Sequence, residues 1–251
     1  MREEDTLLQK RYLEWAENSY KNSIYYFTGF LSVSEINILF ETPQISPENY
    51  QIFGGVEGCE RQMVRFGNSA DLGYEIPFPI VIIKIEPLIQ KFADDFTHRD
   101  FLGALMNLGI KREVIGDIIV NGKDAYLFVA EKMAEYVQEQ LTKVKHTHVR
   151  CKILKDMPID PIIKREEEEV LVSSLRVDGM VAKLYHLSRN QSLELFRERN
   201  IFVNGRLCEN NSYFLKPEDI ISVRGYGKCI FKKQLYETKK GKCCLLIERY
   251  V

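Results

Sequence analysis

The chain has 251 residues, 45% of them hydrophobic and 28% charged, with a formal net charge of −1. That is a globular composition, and no stretch reaches the ~20 uncharged apolar residues that a membrane helix needs. Residues 1–5 are acidic and no apolar run follows them, which argues against a secretory signal and for a cytoplasmic protein.

The near-zero charge hides an asymmetry. Residues 1–170 carry 20 lysines and arginines against 28 acids, whereas residues 171–251 carry 15 against 8. A small basic module attached to an acidic body predicts a polyanion partner such as nucleic acid. Cys59, Cys151, Cys208, Cys229, Cys243 and Cys244 include no CxxC pair and have no histidine at ligand spacing. Neither a zinc site nor a disulfide framework is expected, and no cofactor.

In chain order, residues 1–72 read as a small α/β segment. Leu8, Tyr12, Trp15 and Ala16 share one helical face, and their aromatics at that spacing belong to a core. A second helix is expected from an N-cap at Ser34 and is stopped by Thr42-Pro43; residues 50–55 and 62–66 then read as a hairpin. Residues 73–155 have a β-α-β-β-α-β order. Residues 80–85 form the first strand, Thr97 caps a helix that Gly109 ends, and Asn121-Gly122 joins two strands. A second helix over 130–141 and a strand over 147–153 complete a ferredoxin-like, RNA-recognition-motif-like domain. On that last strand His146, His148, Arg150 and Lys152 fall on one face, a possible secondary RNA surface or simply a solvated, aggregation-resistant one. The base-stacking signature of a true RNA-recognition motif is reduced to Tyr126 and Phe128.

Residues 156–170, with Pro158, Pro161 and the acidic run 166–169, read as a linker, with residues 170–172 a candidate start of a strand. From there to the end, at 171–251, the chain reads as a separate module. Val177, Met180, Val181 and Leu184 line the buried face of one helix, with Arg176, Asp178 and Lys183 off it. Ser188 caps the next helix, with Gln191 at capping-box spacing, and Ser192, Leu195 and Phe196 buried. Asn204-Gly205 and residues 216–219 are turns within a small sheet. The start of the second helix offers free backbone N–H groups and a positive dipole, and Arg189 adds a full charge there.

The series Leu175-Arg176-Val177-Asp178, Ser188-Arg189, Val203-Asn204-Gly205 and Pro217-Glu218-Asp219-Ile220-Ile221-Ser222-Val223 resembles the RNA-binding domain named for ribosomal small-subunit protein four, the S-four domain. The resemblance implies RNA contacts at Arg176, Ser188 and Arg189, with Asn190, Gln191 and Asn204 flanking them, and Lys183, Arg197, Arg206, Arg224 and Lys228 of the same basic module are further expected contacts. The sequence departs from that pattern at Arg199-Asn200, where a glycine turn is usual and Asn200 is expected to take the left-handed conformation, and at Gln191, where lysine is common. Residues 98–110, His-Arg-Asp-Phe-Leu-Gly-Ala-Leu-Met-Asn-Leu-Gly-Ile, with Gly116-Asp117-Ile118-Ile119 after them, resemble the middle domain of YlmH-type bacterial proteins. That resemblance implies binding to ribosomal RNA and tRNA on a large subunit carrying peptidyl-tRNA, in ribosome-associated quality control; the elements read above make the chain an α+β protein, expected to be a monomer.

Catalytic readings are weaker. His98-Arg99-Asp100 imitates a kinase catalytic loop, but no glycine-rich phosphate loop precedes it, and helix capping explains it better. Arg176-Val177-Asp178 superficially resembles the catalytic triplet of pseudouridine synthases but lacks its continuation, so an RNA-modifying enzyme that docks through the C-terminal module is the alternative. His146 and His148 share a strand face with no third metal ligand in sight.

Overall fold

Acidic residues in the first turn and a lysine in the last suit the macrodipole of α1 (Glu3–Asn22), the first helix of a computed structural model that describes residues 3–158 and 165–250. This helix turns Tyr12 fully inward, with Leu8, Trp15 and Ala16 beside it, onto a cluster that contains Leu39, Val64 and Phe66. The next helix, α2 (Val33–Phe40), starts earlier than expected. Ser32 rather than Ser34 is its N-cap, because only Ser32 has Glu35 three residues on to close a capping box. Strands β1 (Tyr26–Phe27), β2 (Tyr50–Phe53) and β3 (Met63–Phe66) make a small antiparallel sheet in the order β1-β3-β2, and the short α3 (Ser69–Leu72) follows.

The middle of the chain runs β4 (Ile80–Pro87), α4 (His98–Asn107), β5 (Ile115–Asn121), β6 (Asp124–Ala130), α5 (Ala134–Gln140), β7 (Lys143–Val144) and β8 (Thr147–Leu154). Its five strands lie in the order β5-β6-β4-β8-β7 with every neighbour antiparallel, the split β-α-β arrangement extended at one edge by the two-residue β7. The Thr97–Asp100 capping box accounts for the His-Arg-Asp triplet at the start of α4.

The boundary expected at residues 72 and 73 falls inside one compact unit, Met1–Pro161. Phe30, Cys59 and Met63 share a core with Phe128 and the rest of the five-stranded sheet. Arg61 donates to the carbonyl oxygens of Phe30 at 2.7 Å, Ile115 at 2.9 Å and Arg112 at 3.0 Å, which fastens the first segment to β5. Gly55, at φ +110°, passes so close to the Phe128 ring that a Cβ there would lie 2.3 Å from it.

The second unit is Ile162–Val251. It comprises β9 (Arg165–Val172), α6 (Val177–Leu184), α7 (Arg189–Arg197), β10 (Ile201–Val203), β11 (Arg206–Leu207), β12 (Asp219–Val223), β13 (Gly227–Glu237) and β14 (Cys243–Tyr250), with a sheet ordered β11-β10-β12-β13-β14-β9. The two helices bury Val177, Met180, Val181, Leu184, Leu195 and Phe196 against Ile221, Phe231, Leu245 and Ile247.

The linker reading of 156–170 is corrected here. Arg165 and the four glutamates after it are the edge strand β9, paired along the whole of β14 from Tyr250↔Arg165 to Cys243↔Val172. An acidic run suits a strand whose outer residues face water and whose Glu168 and Arg165 meet Arg249 and Glu248, at 3.9 and 3.3 Å. The expected breaker Pro161 lies outside the described residues. With β9 included, residues 162–251 carry 17 basic against 12 acidic residues, so the contrast with the first unit narrows without changing sign. The left-handed position at the end of α7 is Arg199, at φ +59°, rather than Asn200.

Candidate nucleic-acid interface

The site is built on the two helices of the second unit. Ser188 accepts from the Gln191 N–H at 3.3 Å, and the Ser188 N–H donates to Gln191 Oε1 at 2.8 Å, so the capping box that opens α7 is closed both ways. Arg189 is the first helical residue after it. It is exposed and has no hydrogen bond or ion pair among the described residues. Arg176, the N-cap residue of α6, forks onto Asp178 with contacts of 3.0 and 2.6 Å, and the Gly179 N–H donates to the same carboxylate at 2.8 Å. Asp178 was expected off the buried face, but it is 7% exposed, because it ties the start of α6 together. Ser192 of α7 donates to the Asp178 carbonyl oxygen at 2.9 Å, fixing one helix against the other.

This arrangement leaves a groove of about 650 Å³ whose wall includes Ser173, Ser174, Arg176, Lys183, His186 and Arg189. Asp178, the one acid in its wall among the described residues, is held by Arg176, and the hydrogen bond that Arg176 donates to it raises the Arg176 pKa further. The uncompensated charges facing the groove are therefore Lys183 and Arg189, both exposed. Cations on a rigid wall beside a helix N-terminus attract phosphate oxygens.

The remaining expected contact residues do not line this groove. Ser188 and Gln191 are spent on the cap, and Asn190 is exposed in the first turn of α7. Arg197 sits at the far end of α7. Asn204, at φ +51°, donates to Asp219 at 2.8 Å and accepts from the Ile220 N–H at 2.9 Å, so its amide holds a turn. Arg206 lies on β11, Arg224 stacks 4.8 Å over Phe202, and Lys228 lies 5.5 Å from the Tyr250 ring. Conversely, Ser173, Ser174 and His186 enter the groove unannounced: the serines by following β9, which was read as linker, and His186 by a left-handed turn at φ +54°.

In the first unit, His148, Arg150 and Lys152 are exposed on β8, whereas His146, expected on the same strand face, is exposed in the turn that precedes the strand. Glu86 takes up two of these charges, meeting Arg150 at 2.6 Å and Lys152 at 2.8 Å, with Lys84 on its other oxygen at 2.8 Å. Lys152, Lys84 and Arg150 together hold the Glu86 carboxyl down to about 2. Tyr126 and Phe128 are buried and offer no stacking platform. Among the described residues no group of three or more His, Cys, Asp or Glu could hold a metal ion, and no helix is long and apolar enough to cross a membrane.

A family described as "Putative RNA-binding domain in YlmH" matches residues 75–157, the stretch that contains the five-stranded sheet. The chain is 31% identical over 242 residues to "Ribosome-associated protein quality control protein P2" of Bacillus subtilis (strain 168), a match covering 94% of this chain and 92% of that protein. The chain belongs to the YlmH family. Among solved structures, "Cell division protein ylmH from Streptococcus pneumoniae" aligns with a TM-score of 0.49 and 19% identity, covering 61% of this chain and 93% of that one. In this YlmH-family chain the α6–α7 groove lies outside the stretch that the family description calls RNA-binding.

Proposed function

We propose that this YlmH-family protein is a non-catalytic RNA-binding factor of the ribosome, with its principal RNA contact in the α6–α7 groove. Its target is ribosomal RNA and tRNA on a large subunit carrying peptidyl-tRNA. The observation that carries this reading is Arg189. It is an exposed guanidinium, without a partner among the described residues, at the head of a capped helix, in one groove with Lys183 and a pre-formed Arg176–Asp178 fork. The name of the Bacillus subtilis relative, which denotes a ribosome-associated quality-control protein and no reaction, supports the setting. The resemblance of this unit to the S-four domain supports the choice of groove.

The RNA-modifying alternative lacks chemistry at the same place. Asp178, the acid that would act in a synthase-like triplet, is held by Arg176 and the Gly179 N–H. Burial pushes the Cys59, Cys151 and Cys229 thiols up to about 12, far from a nucleophilic thiolate at neutral pH. Sedimentation of the purified protein with separated ribosomal particles is the test. It should travel with large subunits at low salt and leave them as salt rises. Migration as free protein at low salt, or a change in the mass of the RNA, would overturn the proposal.

A further inference from the structure

The β13–β14 hairpin runs past the rest of its sheet. Strand β12 pairs with β13 only as far as Asp219↔Phe231, whereas β13 continues with β14 to Glu237↔Cys243. The turn beyond it carries Lys239, Lys240 and Lys242, all exposed. Three hydrogen bonds fix that turn: Thr238 N–H to the Lys242 carbonyl at 2.7 Å, Gly241 N–H to the Thr238 carbonyl at 2.9 Å, and Lys242 N–H to the Thr238 hydroxyl at 3.0 Å. None of the three lysine side chains has an ion pair or hydrogen bond among the described residues, although Lys232 on the same strand meets Glu218 and Glu248. Edge protection accounts for Lys233, which sits between two register shifts on the open flank of β13. It does not account for three like charges held together in a turn that belongs to no edge.

Register brings this turn to the groove. Cys243 pairs with Val172, so Lys242 adjoins the start of the Val172-Ser173-Ser174 stretch that lines the groove together with Arg176 and Arg189. We propose that the hairpin tip is a second phosphate clamp for the RNA seated in the α6–α7 groove, and that this RNA is a helical stem. The proposal rests on the groove reading above. A stem is favoured because neither the groove wall nor residues 238–242 contain Phe, Tyr or Trp. Single strands are held largely by stacking on such rings, whereas duplex RNA is gripped through its backbone.

The test uses the full chain and an RNA stem-loop of about 16 base pairs, with affinity followed against salt for four proteins: wild type, a variant with Lys239, Lys240 and Lys242 all changed to Gln, the same positions changed to Arg, and Arg189→Glu. The Gln variant should melt as wild type does, bind at least tenfold more weakly, and lose about three from the slope of log affinity on log salt, one per phosphate contact. The Arg variant should keep the slope. An unchanged slope in the Gln variant, with Arg189→Glu still weakened, overturns the clamp and leaves the groove standing. A wild-type affinity in both the Gln variant and Arg189→Glu overturns both, and a loss in the Gln variant alone detaches the tip from the groove and also overturns the proposal. Equal affinity for an unstructured strand of the same length overturns the stem.

Discussion

Two arginines that look alike in the sequence have different work in the fold. Arg176 is bound to Asp178 at 2.6 Å, while Arg189, one helix on, is exposed and has no partner among the described residues. Asp178→Ala should therefore lower the melting temperature, because it removes the fork and the Gly179 contact at a position 7% exposed; the scale is about 1–3 kcal/mol. Arg189→Glu should leave melting unchanged, since it breaks no contact and puts an acid where a helix dipole favours one. Thermal melts of the two variants side by side check the contrast. Glu86 gives a pH prediction. Its carboxyl is depressed from 4.5 to about 2 by Lys152, Lys84 and Arg150, so the stability it contributes is fully present above 4.5 and drains away as pH falls towards 2. Glu86→Gln should flatten the dependence of melting temperature on pH across that window; equal slopes in the two proteins would contradict the assignment.

The elements differ in how plainly the sequence announces them. The Asn121-Gly122 hairpin, the Thr97 and Ser188 caps and the Gly109 stop were legible because each is a local signal with a single backbone solution. The docking of residues 1–72 was not. It depends on Arg61 reaching three carbonyl oxygens some thirty or more residues away and on Gly55 lying against Phe128, and neither has a local pattern. The strand β9 was missed for the opposite reason: four consecutive glutamates look like solvated linker until their partner β14 is known. In the candidate site, Arg189 and Arg176 were legible from the capping motif and the S-four resemblance, whereas the lysines of residues 239–242 carry no local motif that singles them out. The docking yields its own prediction. Arg61→Met takes a donor from three partly buried carbonyls, of which those of Ile115 and Arg112 keep a second one, and should cost roughly 2–4 kcal/mol. Because the first segment and the five-stranded sheet share one core, melting should remain a single transition for that unit; loss of the small sheet alone, with the larger one intact by hydrogen exchange, would contradict it.

For the molecule as a whole, the division at residues 161 and 162 sets what can be cut. A fragment of residues 162–251 retains β9 and should fold and bind RNA, whereas one beginning at 171 strips most of the edge strand from β14 and removes Val170 from the core. Circular dichroism of the two fragments should show a cooperative melt for the longer alone. The central claim, that RNA is held at the head of α7, is tested most directly by the affinity of full-length wild type and Arg189→Glu for purified large ribosomal subunits at one fixed salt concentration, with melting measured on the same samples. The expected result is unchanged melting and binding weakened by about 2 kcal/mol, roughly thirtyfold. Unchanged melting with wild-type affinity would put the RNA on another face of the protein.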